Sequence, residues 1–134
     1  MRIIGGSWRN RRLFVPDGKD IRPTADRARE SLFSVLEHSS TYDSWRIAGA
    51  TVLDIFAGTG ALGLEALSRG AKQVVFIDSS ATSVSTINQN LKTVKAVTKA
   101  TVLCKDAAQP GPSIINANLA FLDPPYRSGL AEQA

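Results

Sequence analysis

Asp54-Ile55-Phe56-Ala57-Gly58-Thr59-Gly60-Ala61-Leu62-Gly63 is the stretch whose reading decides the fold. The segment Thr51–Phe56 reads as a buried strand and Ala61–Arg69 as a helix ended by Gly70. Between them, Gly58, Gly60 and Gly63 satisfy the spacing of a dinucleotide-type glycine turn. Asp78 follows Gly58 by about twenty residues and ends the second predicted strand, Gln73–Ile77. Glycines there let backbone approach a ligand closely, and a carboxylate at the end of strand two can accept from both ribose hydroxyls. The pattern alone is compatible with NAD, FAD or an adenosyl cofactor, and also with a glycine turn that holds no ligand.

Asp54 separates these options. It precedes Gly58 by four residues and so belongs to the same cleft. A pyrophosphate there meets a like charge. S-adenosylmethionine carries no phosphate but does carry an ammonium and a sulfonium, and a carboxylate nearby lowers the energy of that cation. A hydrogen bond from Asp54 to the loop's own amides is the plainer role, and the two can coexist. Asp106, after the third strand, is placed to accept from an adenine amine or to serve as a solvent-facing turn acid.

Outward from the loop, strands and helices alternate. A helix capped by Ser79 or Ser80 carries Val84, Ile87, Leu91 and Val94 on one face. Ala100–Cys104 reads as strand three, with Cys104 as a buried strand residue. Pro110-Gly111-Pro112 breaks the chain, and Asn118–Leu122 reads as strand four. Such alternation predicts an α/β fold, a parallel sheet with helices on both faces joined by right-handed crossovers.

Strand four runs into Asp123-Pro124-Pro125-Tyr126. A carboxylate, two prolines and an aromatic ring at a strand's carboxyl end suit a planar ring bearing an exocyclic amine. Asp123 and the Pro124 carbonyl can accept both amine protons, and Tyr126 can stack on the ring. The plainer alternative is a strand, an N-cap acid and a proline turn that starts a helix.

The first part of the chain differs. Arg2-Ile3-Ile4 and Arg12-Leu13-Phe14-Val15 are short extended segments around Gly5-Gly6, which predicts a β-hairpin. Trp8 falls in its loop, either as a local core plug or as an exposed stacking group. Arg22-Pro23-Thr24 leads into a helix with Thr24 as N-cap, Asp26 in the first turn and an apolar stripe of Ala28, Leu32, Phe33 and Leu36. His38, at the helix end, suits an ordinary C-terminal role. Residues 1–38 are thus expected to form a basic hairpin and helix, 39–49 a linker, and 50–134 a partial cofactor-binding domain.

The net charge of +4 is placed unevenly. Residues 1–30 hold eight basic and four acidic residues, and the remainder holds eight of each sign. All the excess positive charge therefore lies at the N-terminus, as a solvated basic face or as a contact for a phosphate backbone. A length of 134 residues bounds the chain to one domain. One cysteine excludes an internal disulfide framework, and one histidine makes a protein-built zinc site improbable, so no metal is expected. No apolar run is long enough to span a membrane, and Met1-Arg2 is not followed by a signal-peptide apolar region.

On these residues the chain resembles a class I S-adenosylmethionine-dependent methyltransferase. It is most similar to the bacterial family that methylates the exocyclic N2 of a guanine in small-subunit (16S) ribosomal RNA. The matching stretches are Arg2–Gly6, Ile21–Thr24 with Asp26-Arg27 and Arg29–Phe33, Leu53–Ala71 and Leu122–Tyr126. The resemblance implies a basic RNA-facing extension before a Rossmann-like domain, a cytoplasmic monomer, and 16S rRNA or a small-subunit assembly intermediate as partner. It implies that Asp54, Gly58 and Gly60 line the methionine end, with Phe56 among the cofactor-binding residues. Asp78 would then take the ribose, Asp106 the adenine, and Asp123, Pro124 and Tyr126 the guanine. Arg22 and Thr24 match a segment near cofactor and substrate entry, and Arg9, Arg11 and Arg12 are candidates for RNA phosphates.

The family sheet has seven strands and only four are recognisable here. That predicts a truncated chain with strand four exposing an unpaired edge. Two rival readings share these residues: a DNA adenine-N6 or cytosine-N4 methyltransferase using the same pocket, and a catalytically inactive fragment. A dehydrogenase is disfavoured by Asp54 and by the lack of a hydride-transfer site.

Overall fold

A computed structural model describes residues 1–16, 23–38, 46–106 and 117–122. Among these residues four parallel strands, β1 (Thr51–Ile55), β2 (Gln73–Asp78), β3 (Ala100–Cys104) and β4 (Leu119–Leu122), lie in the order β3-β2-β1-β4. Three α-helices among the described residues accompany them: α1 (Pro23–His38), α2 (Ala61–Ser68) and α3 (Ala81–Thr93). The α/β class and the four strands agree with the sequence reading to within a residue at each boundary.

The order reverses beside β1. Its neighbours are β2 on one side and β4 on the other, with Asp54 registered against both Phe76 and Phe121. Ligands of open α/β sheets bind outside the carboxyl ends of the strands at such a reversal. The loop after β1 and the chain leaving β4 both start there.

Alternation along the strands divides the apolar residues between two faces. Val52, Val74, Phe76 and Phe121 face one way and join Leu64 and Leu67 of α2, Ile87 and Leu91 of α3, and Phe33 of α1 in the main core. Phe33 and Phe121 meet with ring centroids 5.6 Å apart, tying α1 to β4. Leu53, Ile55, Val75 and Ile77 face the other way in a second cluster with Phe56 and Leu103. Among the described residues only the first face draws helical side chains, whereas helices on both were expected.

The hairpin pairs through an antiparallel bridge between Arg2 and Arg12, with Ile3 N–H donating to the Arg11 carbonyl and Leu13 N–H to the Met1 carbonyl, both at 2.9 Å, and a one-turn 3-10 helix, Gly6–Trp8, between. The backbone donors of Ile4 and Gly5 go instead to the Glu65 carboxylate, both at 2.9 Å. A side chain of α2 thus takes the place of a partner strand. This arm is not detached: Ile3 and Leu13 lie in the main core, and Trp8 packs partly buried against it.

The apolar stripe expected on α1 is corrected. Phe33 is buried and Leu36 partly so, but Ala28 and Leu32 are exposed, and Arg29 occupies the inward face. The cause is Glu65, fully buried, which accepts from Arg29 Nε at 3.2 Å and from Arg69 Nε at 2.8 Å. Arg29 Nη2 also reaches the Arg2 carbonyl and the Asp26 carboxylate. Burial works against the Arg69 charge, yet the hydrogen bonds and charges of Glu65 and Glu37 hold its pKa above the ordinary arginine value. Its guanidinium also lies 5.1 Å from the Phe33 ring centroid. Pro23 opens the helix, so Thr24 lies in the first turn rather than at the cap.

Residues 46–50 contain Ile47, which is buried, so this end of the expected linker contributes to the core. Residues 39–45 lie outside the described residues. Cys104 is exposed, not buried. It ends β3, the outer strand of the described sheet, and lines a cavity of about 560 Å³ with Ala81, Val84 and Ser85 of α3.

Candidate cofactor and nucleic-acid site

The loop after β1 is shaped by positive φ angles. Phe56 has φ 59°, Gly58 φ 59° and Gly60 φ 85°. For a bulky residue such as Phe56 this region is costly, and residues held there cluster at binding sites. The turn closes through Gly60 N–H to the Ala57 carbonyl at 2.8 Å, and Ala57 N–H donates to Ile77 at the end of β2. A Cβ on Gly58 would have no heavy atom within 4 Å beyond its chain neighbours, so the loop has open space at that position. Gly63 is the opposite case. A Cβ there would stand 2.3 Å from Phe76 Cε1, so this glycine sets how closely α2 can approach β2.

Asp54 lies beneath the loop, 1% exposed, and accepts the Gly63 N–H at 3.0 Å. Gly60 occupies the N-cap of α2 and has no side chain to satisfy the first-turn amides. Asp54 supplies that acceptor from β1, at the positive end of the helix dipole. The amide-bonding role weighed from the sequence is present. Its near-complete burial keeps this carboxylate under the loop, away from solvent.

Asp78 joins two elements. Its Oδ2 accepts from Gly58 N at 2.9 Å and its Oδ1 from Ser80 N at 2.9 Å. Ser80 in turn caps α3 by accepting from Ser83 N. A carboxylate has about four acceptor sites, so two amide bonds leave capacity for two hydroxyls. Asp106 is exposed just beyond β3, and β3 pairs with β2 up to Asp78↔Cys104. Asp54, Phe56, Gly58, Gly60, Asp78 and Asp106 therefore all lie at the carboxyl ends of β1, β2 and β3 or in the loops just after them. The adenosyl fit rests on the open space at Gly58 and on the remaining acceptor capacity of Asp78.

Arg9, Arg11 and Arg12 are exposed on the arm, and Arg11 Nη1 donates to the Thr93 carbonyl at the end of α3. Asp123, Pro124 and Tyr126 lie outside the described residues, as does Arg22, and of Thr24 only the helical backbone is described. Leu122, the residue before Asp123, is registered with Ile55, the residue before Phe56. Among the described residues no cluster of His, Cys, Asp and Glu could hold a metal, and no helix is long and apolar enough to cross a membrane.

Two residues that sequence reasoning missed organise this region. Glu65, which the sequence reading did not single out, is a buried hub. Asn90 is fully buried on α3 and donates to the Thr59 carbonyl of the glycine loop at 3.1 Å. Its position one residue before Leu91, on the inward face with Ile87, was the available signal.

Ribosomal RNA small subunit methyltransferase D of Escherichia coli strain K12 is 44% identical, with 99% of this chain and 64% of that protein covered. The protein of the same name from Haemophilus influenzae is 39% identical over 100% of this chain and 68% of its own length. The chain thus spans about two thirds of the length of these curated relatives. The solved structure of Escherichia coli yhhF superposes with a TM-score of 0.81 at 44% identity, covering 99% of this chain and 68% of that one. A S-adenosylmethionine-dependent methyltransferase from Thiobacillus denitrificans, solved with S-adenosyl-L-homocysteine, shares the fold at 20% identity and a TM-score of 0.56, over 70% of this chain and 34% of its own. The family model described as Conserved hypothetical protein 95 matches residues 1–134, and the chain belongs to that family, together with its ribosomal RNA small subunit methyltransferase D relatives.

Proposed function

We propose that this chain forms the cofactor-binding part of an S-adenosylmethionine-dependent methyltransferase that modifies the exocyclic N2 of a guanine in 16S ribosomal RNA. The observation that carries the reading is the strand reversal at β1. It brings Asp54, the glycine loop and the end of β4 together at the carboxyl end of the sheet. The names of the curated relatives support ribosomal RNA as the substrate class.

In this reading Asp78 holds the ribose hydroxyls and Asp106 the adenine amine. The charge of Asp54 favours a cationic donor above the loop. S-adenosylmethionine, when bound, supplies the methyl group. The guanine amine is a poor nucleophile because its lone pair is delocalised into the ring. Asp123 and the Pro124 carbonyl would accept its two N–H groups and let it pyramidalise, while Tyr126 stacks on an unpaired base. Positioning and preorganised charge supply the acceleration. Arg22 and Thr24 belong to the entry of this site, and Arg9, Arg11 and Arg12 to the RNA contact. The substrate is naked 16S rRNA or a small-subunit assembly intermediate, acted on by a monomer in the bacterial cytoplasm.

Two experiments test the reading. Titration of the chain with S-adenosylmethionine should raise its thermal midpoint, since a ligand that binds only the folded state adds about 2.7 kcal/mol at a hundredfold excess over Kd. No shift at millimolar ligand would remove the cofactor assignment. In a protein of the relatives' full length, methyl transfer should favour small subunits or ribosomal RNA over duplex DNA. There, Asp123→Ala should cut turnover by orders of magnitude with cofactor affinity within about tenfold. Equal transfer to duplex DNA would instead select the DNA amino-methyltransferase reading.

A further inference from the structure

We propose that the N-terminal arm and the carboxyl end of α3 form one docking surface for single-stranded RNA, with Phe14 as its stacking platform. The inference rests on the RNA methyltransferase reading and adds to it a face and three residues, Phe14, Lys92 and Lys95. Arg11 Nη1 donates to the Thr93 carbonyl at 3.2 Å, which brings the arm to the last residue of α3. Thr93 lies between Lys92 and Lys95 in sequence, and all three are exposed. Arg9, Arg11 and Arg12 are exposed on the arm. Residues 1–16 hold four arginines, residues 79–105 hold four lysines, and neither segment holds an acid. The arm's carboxylate partner, Glu65, is fully buried and engaged with Arg29 and Arg69. Arg9, Arg11 and Arg12 with Lys92 and Lys95 therefore give this face positive charge, as a phosphate chain requires.

Phe14 gives this face its preference for a single strand. Phe14 is 45% exposed, yet its backbone is held at both polar groups. Phe14 N donates to Asn90 Oδ1 at 2.7 Å, and its carbonyl accepts from Asn90 Nδ2 at 3.2 Å. Asn90 itself is fully buried and also donates to the Thr59 carbonyl, so the clasp is anchored in the core. An exposed aromatic side chain on a backbone held in this way, two residues after Arg12 in the chain, can stack on a base with no ordering of its backbone. Unpaired bases offer such a face, whereas in a duplex the bases are already stacked on each other. The clasp uses only the Phe14 backbone, so substitution of the ring leaves it in place.

The test is fluorescence anisotropy of the 134-residue chain with a single-stranded RNA oligonucleotide and with a duplex RNA of equal length. The single strand should bind tighter than the duplex. Phe14→Ala should weaken single-strand binding about tenfold, and Phe14→Trp should restore it. Duplex binding and the thermal midpoint should change little. The double variant Lys92→Gln/Lys95→Gln should flatten the dependence of log K on log salt by about 0.7 per lost phosphate contact. Unchanged single-strand affinity in Phe14→Ala, or an unchanged salt slope in the lysine variant, overturns this surface alone. A chain that S-adenosylmethionine stabilises but that binds no RNA overturns the RNA reading with it.

Discussion

Asp78 and Gly58 are separated by 20 residues and joined by a hydrogen bond of 2.9 Å from the glycine N–H to the carboxylate. The contact fastens the loop after β1 to the end of β2 before any ligand arrives. The residue proposed to take the ribose is therefore also the residue that holds the glycine turn in shape. Preorganisation of this kind lowers the ordering cost of binding.

Asp78→Ala should therefore weaken S-adenosylmethionine binding by about ten- to a hundredfold, the size expected for losing charge-assisted hydrogen bonds. Asp78→Asn should fall between, because its amide keeps one acceptor oxygen but offers N–H groups where Gly58 or Ser80 already donates. Isothermal titration calorimetry on the two variants checks the order. Wild-type affinity in Asp78→Ala would remove Asp78 from the site.

The glycines of the loop should separate stability from binding. Gly63→Ala places a methyl 2.3 Å from Phe76 Cε1 and 2.9 Å from Val74 Cγ1. Overpacking of this kind costs about 1–3 kcal/mol, and Phe76→Leu should recover part of it. Gly58→Ala meets no atom within 4 Å but must hold φ 59°, at a cost of about 1–2 kcal/mol. Its larger effect should be on cofactor affinity, because the methyl enters the open side of the loop. Urea unfolding and cofactor titration, run on both, resolve the two effects.

Glu65→Ala should destabilise the chain by about 3–5 kcal/mol, because it leaves the Arg29 guanidinium, 5% exposed, without its buried carboxylate. It also strips the Ile4 and Gly5 amides of their acceptor. Arg29→Ala should cost less, since Glu65 keeps Arg69 and the two backbone donors. Chemical denaturation gives both values. The reverse order would mean that Arg29 contributes chiefly through its packing.

Asn90→Ala should cost about 2–4 kcal/mol, through the unpaired Phe14 and Thr59 groups and the volume lost in a fully buried position. Asn90→Asp should be worse despite its similar shape. It keeps an acceptor for Phe14 N–H but turns a negative oxygen toward the carbonyls of Phe14 and Thr59. Thermal unfolding of the pair tests the sign. Asp tolerated better than Ala would show that the acceptor outweighs the donors.

The strand–helix alternation was legible because periodicity and glycine spacing are local. Thr51–Ile55, Ala61–Ser68 and Ala100–Cys104 are fixed by apolar runs and by the breakers that bound them. The stripe on α1 misled because an arginine buried against an acid looks, in sequence, like any surface charge. Cys104 misled for a related reason: an apolar strand residue is buried only if something covers it, and that depends on the position of the strand in the sheet.

By itself the sequence determined the α/β class, the glycine turn and the acids at the carboxyl ends of the strands. Those features follow from interactions between residues near each other along the chain. Tertiary structure alone decided that Glu65 and Asn90 fasten the arm to α2 and α3, and that Arg11 lies against Thr93. These contacts join residues about 60 to 82 positions apart, and no local pattern of hydrophobicity or turn chemistry encodes which distant backbone groups a buried polar side chain will satisfy.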